Sequence, residues 1–177
     1  SSQGYYVQVD ATAIDDASGN SFAGISDTTT LSFTAADSAG PAIASSSPAD
    51  NATGVAVDAN IILTFDENVV VGSGNITLKK SSDNSTVQAM PVGGGNVSAS
   101  GAVVTINPSA NLDSSQGYYI QIAATAFDDA SGNSYAGIND TTSLNFTAAD
   151  VLGPTLSSSS PADNAAGVAG GANIVLT

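Results

Sequence analysis

The chain has no cysteine, no histidine, no tryptophan and no arginine, and its only basic residues are Lys79 and Lys80. Without cysteine there is no disulfide framework and no thiol nucleophile, although the redox compartment stays open. Without histidine or cysteine, Ser–His and Cys–His arrangements for nucleophilic catalysis are unavailable. Two lysines stand against 16 acidic residues, for a formal net charge of −14 over 177 residues. Such a surface repels phosphate backbones and anionic lipid, which excludes nucleic acid and polybasic membrane attachment. No apolar run approaches the ~20 residues that cross a bilayer as a helix, so direct membrane insertion is not expected. No stretch sustains a helical period. Charged residues are 10% of the chain, but hydrophobic residues are 42% and the β-branched ones cluster regularly. That is enough apolar material for a packed core, so disorder is excluded as well.

What is present is repetition. The opening "SSQGYYVQVDATAIDDASGN" returns from Ser114 as "SSQGYYIQIAATAFDDASGN". With a shift of 114 − 1 = 113, residues 1–64 fall on 114–177 without a gap, and about 47 of the 64 pairs are identical. Most other pairs are conservative, such as Val7 with Ile120 and Phe22 with Tyr135. Self-similarity at a fixed period marks a repeat array. A period of this length matches a small independent domain rather than a solenoid unit. The expected organisation is the C-terminal part of one repeat over 1–39, a complete repeat over 40–150, and the N-terminal part of the next over 151–177. The expectation that follows is a window on a longer string or polymer.

Within the complete copy, short alternating runs are separated by turn clusters. "NIILTF" (60–65) puts Ile61, Leu63 and Phe65 on one face. "NITLKKS" (75–81), "TVQAMPV" (86–92) and "AVVTIN" (102–107) follow. "YYIQIAATAF" (118–127) sets Tyr118, Ile120 and Ile122 inward, with Tyr119 and Gln121 outward. "SLNFTA" (143–148) alternates Leu144 and Phe146 with Ser143 and Asn145. Period-2 alternation with one apolar face predicts half-buried strands. Seven to eight such strands in about 110 residues predict an all-β, antiparallel two-sheet sandwich.

The stretches "SSSPADNATGVAVDANIILTFDENV" (45–69), "VTINPSANLDSSQGYYIQI" (104–122) and "DDASGNSYAGINDTTSLNFTA" (128–148) carry a resemblance. In order and spacing the chain resembles the bacterial Ig-like domain family of the S-layer (SbsA-type) kind. The resemblance covers the complete copy and both partial ones. It implies tandem extracellular Ig-like sandwiches in bacterial surface proteins, S-layers and adhesins, and no enzymatic activity. Leu112 precedes Tyr118 by six residues at a strand start. Ig-type sandwiches often place a tyrosine there, its hydroxyl bonded to nearby backbone. Tyr118, and Tyr5 in the first copy, are the candidates for that corner; core filling is the alternative.

Carboxylates supply the remaining chemistry. Asp66/Glu67, Asp15/Asp16 and Asp128/Asp129 are paired, but general acid–base work also needs a cleft, which a small repeated sandwich offers little of. The loop 128–140 gathers Asp128, Asp129, Asn133 and Asp140, and 15–27 gathers Asp15, Asp16, Asn20 and Asp27. Calcium takes six to eight oxygens of these types, although the alternate-residue spacing of an EF-hand is absent. The competing reading is a set of Asx turns, in which Asp and Asn bond their own backbone. A second cation candidate uses Asp66 and Glu67, or the junction carboxylates Asp37 and Asp150. Lys79 and Lys80 read as a solvated edge-strand pair that discourages sheet aggregation. Six Asn-x-Ser/Thr sequons, the first at Asn51, are compositional in a chain this rich in Ser, Thr and Asn.

The junctions "FTAADSAGPAIA" (33–44) and "FTAADVLGPTLS" (146–157) are short and carry Pro41 and Pro154. Proline fixes a backbone angle as the next copy begins, predicting a semi-rigid string. The two partial copies, joined between molecules, would still lack the positions equivalent to 65–113. The leading expectation is a non-catalytic extracellular stalk, fibre, filament or surface-layer module. Its partners would be neighbouring repeats of the same chain, with self-association into filaments or layers. The alternative is an adhesin module gripping carbohydrate or a protein receptor through its loops, with Tyr119, Tyr135 and Phe22 as its exposed aromatics.

Overall fold

A computed structural model describes residues 2–177. Ser1, the first residue of the expected 1–39 partial copy, lies outside the described residues. In chain order, β1 (Gly4–Tyr6) and β2 (Ser32–Thr34) come first. The complete copy carries β3 (Ile43–Ser47), β4 (Ala52–Val55), β5 (Ile61–Phe65), β6 (Val70–Val71) and β7 (Asn75–Lys80). It continues with β8 (Thr86–Pro91), β9 (Val97–Ser100), β10 (Val103–Ile106) and β11 (Gly117–Ile122). β12 (Phe127–Asp128) and β13 (Asn145–Ala148) complete it, and β14 (Ser159–Ser160) and β15 (Val175–Leu176) follow. Every regular element among the described residues is a strand.

The complete copy is an all-β sandwich. One sheet runs β3-β5-β10-β9 and the other β4-β13-β11-β7-β8, with a small β12-β6 pair at one end. The alternating runs explain the inward faces. In β5 the burial alternates so that Ile61, Leu63 and Phe65 are sealed while Ile62 is exposed. β10 sets Val104 opposite Leu63 and Ile106 opposite Ile61. On the facing sheet, β11 sets Ile120 opposite Leu78 and Ile122 opposite Ile76 of β7. β13 adds Phe146 opposite Tyr118, their ring centroids 5.9 Å apart. These side chains share one core, and each such residue removed from water contributes roughly 1.5–3 kcal/mol before entropy. Phe65 closes the β12 end, its ring tilted against Phe127 at 5.4 Å and edge-on to Tyr135 at 5.3 Å.

The structure departs from the sequence-based picture in four places. Nine strands, not seven or eight, make up the two main sheets. β13 and β4 pair in parallel, because the chain crosses between sheets after β3 and then runs along the outer edge of β13. Tyr119 is buried at 2% exposure, because the turn after β7 covers that face and Asn84 Oδ1 accepts its hydroxyl at 3.1 Å. β7, which carries both lysines, is an inner strand between β11 and β8 rather than an edge.

The partial copies repeat the local structure without the core. Tyr5 pairs with Phe33 as Tyr118 pairs with Phe146. The bridges Val9–Ile25 and Ile122–Ile138 also recur at equivalent positions. Gly24 (φ +81) and Gly137 (φ +79) make the same close approach, where a Cβ would sit 2.7 Å from the carbonyl oxygen of Val9 or Ile122. Burial does not recur. Tyr5 is 49% exposed against 1% for Tyr118, and Phe33 57% against 2% for Phe146. Turns and bridges are local to the sequence, whereas burial needs the facing sheet.

Candidate functional site

The acidic loop leaves the short strand β12. Asp128 accepts the Ser134 hydroxyl at 2.5 Å. Asp129 turns back into its own loop: one oxygen accepts the N–H groups of Ser131 and Asn133 at 2.8 and 2.7 Å, the other the Asn133 amide at 2.8 Å. Burial pushes the Asp129 carboxyl up, but these bonds outweigh it and hold the group below its ordinary range. Asp140 serves a different turn, accepting the Thr142 and Ser143 N–H groups at 2.8 and 2.7 Å and the Ser143 hydroxyl at 2.6 Å. The Ser143 hydroxyl leads in lowering Asp140 to about 2.

The first copy repeats the arrangement. Asp16 accepts Ser18 N–H at 2.9 Å and both the N–H and the side-chain amide of Asn20 at 2.8 Å. Asp27 accepts Thr29 and Thr30 and is held well below the usual carboxylate range, first by the Thr30 hydroxyl. Asp15 sits at the bridge to Ser21. In both loops, therefore, side-chain oxygens satisfy nearby backbone donors, the behaviour of Asx turns. Asn20 and Asn133 use their amide groups as donors to the neighbouring aspartate.

Convergence occurs elsewhere. Asp37, Glu67 and Asp129 place one carboxylate oxygen each within 4.8 Å of the others, the only such acidic trio among the described residues. It unites one residue from each of three separate expectations: the junction, the end of β5 and the loop. The junction is brought there by docking. Asn133 Nδ2 donates to the Asp37 carbonyl at 3.3 Å, and Ala42 N–H donates to Asp66 Oδ1 at 2.8 Å while Asp66 N–H returns a bond to the Ala42 carbonyl at 2.9 Å. Pro41 is buried. Asp66 is thereby a structural acceptor. Glu67 is raised above its ordinary value, first by desolvation and then by Asp129 and Asp37. Asp37 is lowered, chiefly by the Ala39 N–H. Three carboxylates supply three of the six to eight oxygens that calcium takes, so carbonyls and water would have to complete a shell. Asp150, the counterpart of Asp37, bonds to the Ser114 hydroxyl at 3.0 Å and to Leu152 N–H at 3.1 Å.

At the opposite end of β11 the Tyr118 hydroxyl accepts Asp113 N–H at 2.7 Å. Leu112, buried, donates its N–H to the Val57 carbonyl at 2.7 Å. Lys80 Nζ lies 2.7 Å from Asp113 Oδ2. These contacts tie the turn before β11 to β11 itself, to β7 and to the loop between β4 and β5. Tyr5 instead stacks on Phe33 at 5.5 Å with its face half open.

A groove of about 430 Å³ lies between Asn75, Gln121 and Asn139, and none of its lining groups titrates near neutrality. The pairs Asp128/Asp129 and Asp66/Glu67 lie outside it. Tyr135, expected outward, is 7% exposed because it packs against Phe65. With Tyr119 also sealed, Phe22 alone of the three expected aromatics is open. A family model described as a bacterial Ig-like domain matches residues 37–148. No curated protein matches the chain.

Proposed function

Because the chain belongs to the bacterial Ig-like domain family, we propose that it is a non-catalytic structural repeat of an extracellular surface protein, used as a stalk, fibre or surface-layer module. Domains of this family are typically non-catalytic surface modules. No helix among the described residues is long and apolar enough to cross a membrane. The observation that carries the reading is the 113-residue self-similarity joined to a complete sandwich whose acidic groups serve its own turns. A module of this kind acts mechanically. Its core resists opening, its junctions set the reach, and its negative surface keeps neighbouring strings apart in solution. Neighbouring repeats of the same chain are its primary partners. Lateral self-association into filaments or layers would be a property of the assembled string.

The adhesin alternative would need exposed aromatic or loop contacts, and two of its three aromatics are in fact buried. A glycan array probed with the 177-residue chain tests the choice. The stalk reading expects no saturable binding. Specific, competable binding to one glycan class would replace it with the adhesin reading.

A further inference from the structure

The two junctions in the chain, Asp37-Ser-Ala-Gly-Pro41 and Asp150-Val-Leu-Gly-Pro154, are equivalent positions of one repeat. Each opens with the same turn, in which the aspartate accepts the N–H two residues on: Ala39 in the first, Leu152 in the second. The first junction is seen against the copy that follows it. Gly40 lies so close to the loop that a Cβ would stand 2.1 Å from the Ser134 carbonyl oxygen. Asn133 holds the Asp37 carbonyl, and Ala42 exchanges two bonds with Asp66. The second junction is seen against the copy that precedes it. Ser114 Oγ donates to Asp150 Oδ1 and accepts the Val151 N–H at 2.9 Å.

From these two half-views we infer that the Asp-x-x-Gly-Pro segment is a two-sided clamp. Its docking surface on the following repeat is the loop corner of Asn133 and Ser134, and its anchor on the preceding repeat is the Ser114 position. The partner of that loop corner is thus the end of the preceding repeat of the same chain. Consecutive repeats are held in one orientation rather than hinged. The inference rests on the tandem reading proposed above and specifies how the string transmits direction. Glycine is required at position 40 by contact and not by backbone angle, since no left-handed φ is involved there. Gly153, whose following repeat is incomplete in this chain, has open space around its Cβ position.

Backbone ¹⁵N relaxation on the full 177-residue chain tests this. If the clamp holds, amides of residues 38–42 show order parameters near the ~0.85 of rigid backbone. The β1–β2 amides then share one rotational correlation time with the β5, β10 and β11 amides. Gly40→Ala should drop the junction below about 0.6 and split the correlation times, whereas Gly153→Ala should match the native chain. The clamp is overturned if native junction amides already lie below ~0.6 with two correlation times, or if Gly40→Ala behaves like Gly153→Ala. Should Gly40→Ala fail to fold, seen as loss of sandwich amide dispersion, the native measurement decides alone. A rigid junction in a chain that binds glycan would sink the stalk and spare the clamp. A hinged junction in a silent chain would do the reverse.

Discussion

Replacing Tyr118 by phenylalanine isolates one bond in the turn before β11. The ring is 1% exposed and keeps its packing against Phe146 in the variant. What disappears is the acceptor for Asp113 N–H at 2.7 Å. A neutral hydrogen bond contributes ~0.5–1.5 kcal/mol net, and a stranded buried partner costs ~1–3 kcal/mol. Asp113 itself is exposed, so water reaches its side of the turn and the lower range applies, about 0.5–1.5 kcal/mol. For a domain of about 110 residues this lowers the melting temperature by roughly 2–6 °C. Calorimetric melts at pH 7 of the native chain, Tyr118→Phe and Tyr5→Phe provide the measurement. Tyr5 is half-exposed, so Tyr5→Phe should stay within about 1 °C of native, as surface changes do. A Tyr118→Phe melt within about 1 °C of native, or an equal fall in both variants, would refute the assignment of the bond as a staple. An alkaline limb adds a check. Desolvation pushes the Tyr118 hydroxyl above its ordinary 10.0, so its contribution is complete below 10.0 and is lost as pH rises through the raised folded value. Tyr118→Phe should shallow that limb without abolishing it, because burial also lifts Tyr135 to about 12.

The two copies offer a matched pair of core deletions. Phe146→Ala should cost ~3–5 kcal/mol and Phe33→Ala less than ~0.5 kcal/mol in chemical denaturation of the sandwich, because their exposures are 2% and 57%; comparable losses would contradict the described packing. In acid, Asp140 holds its stabilisation above its ordinary 3.8 and loses it as pH falls toward about 2, so Asp140→Asn should flatten the acid limb of a pH–melting profile. Glu67 has the opposite sign: its raised carboxyl makes the fold lose stability as pH rises past its ordinary 4.5. Glu67→Gln should therefore raise the pH 7 melting temperature, and a fall would show that the charge is needed there. Excess EDTA should leave the native melt unchanged, since the loop carboxylates already accept donors from their own turns; a drop of more than about 4 °C, on the order of 1 kcal/mol, would instead place a cation among them.

How much was legible in the sequence depended on the kind of order involved. β5, β7 and β13 fall within two residues of the alternating runs that predicted them, and β11 starts one residue before its run but ends five residues short of it, because a strand with one sealed face must write apolar residues at every second position. β3, β4 and β9 escaped notice. They read Ile-Ala-Ser-Ser-Ser, Ala-Thr-Gly-Val and Val-Ser-Ala-Ser, sit at sheet edges, and bury little. Their positions come from pairing with β5, β13 and β10, which no local pattern records. Tyr119 failed for a related reason. Alternation assigns it correctly to the face opposite Tyr118, but only the tertiary fold reveals that a turn covers that face.

The site divides along the same line. Aspartates that cap their own turns could be anticipated from "DDASGN" and "NDTTS", because their partners lie two to four residues away. The trio of Asp37, Glu67 and Asp129 could not, since its members are 67 − 37 = 30 and 129 − 67 = 62 residues apart. Proximity there follows from the junction lying down on the loop, and that in turn follows from a missing side chain at Gly40. One glycine thus sets how closely the junction that carries Asp37 lies against the loop that carries Asp129. A substitution that lifts the junction takes Asp37 away from Glu67 and should relax Glu67 toward its ordinary value, because Asp37 is one of the charges that raise it.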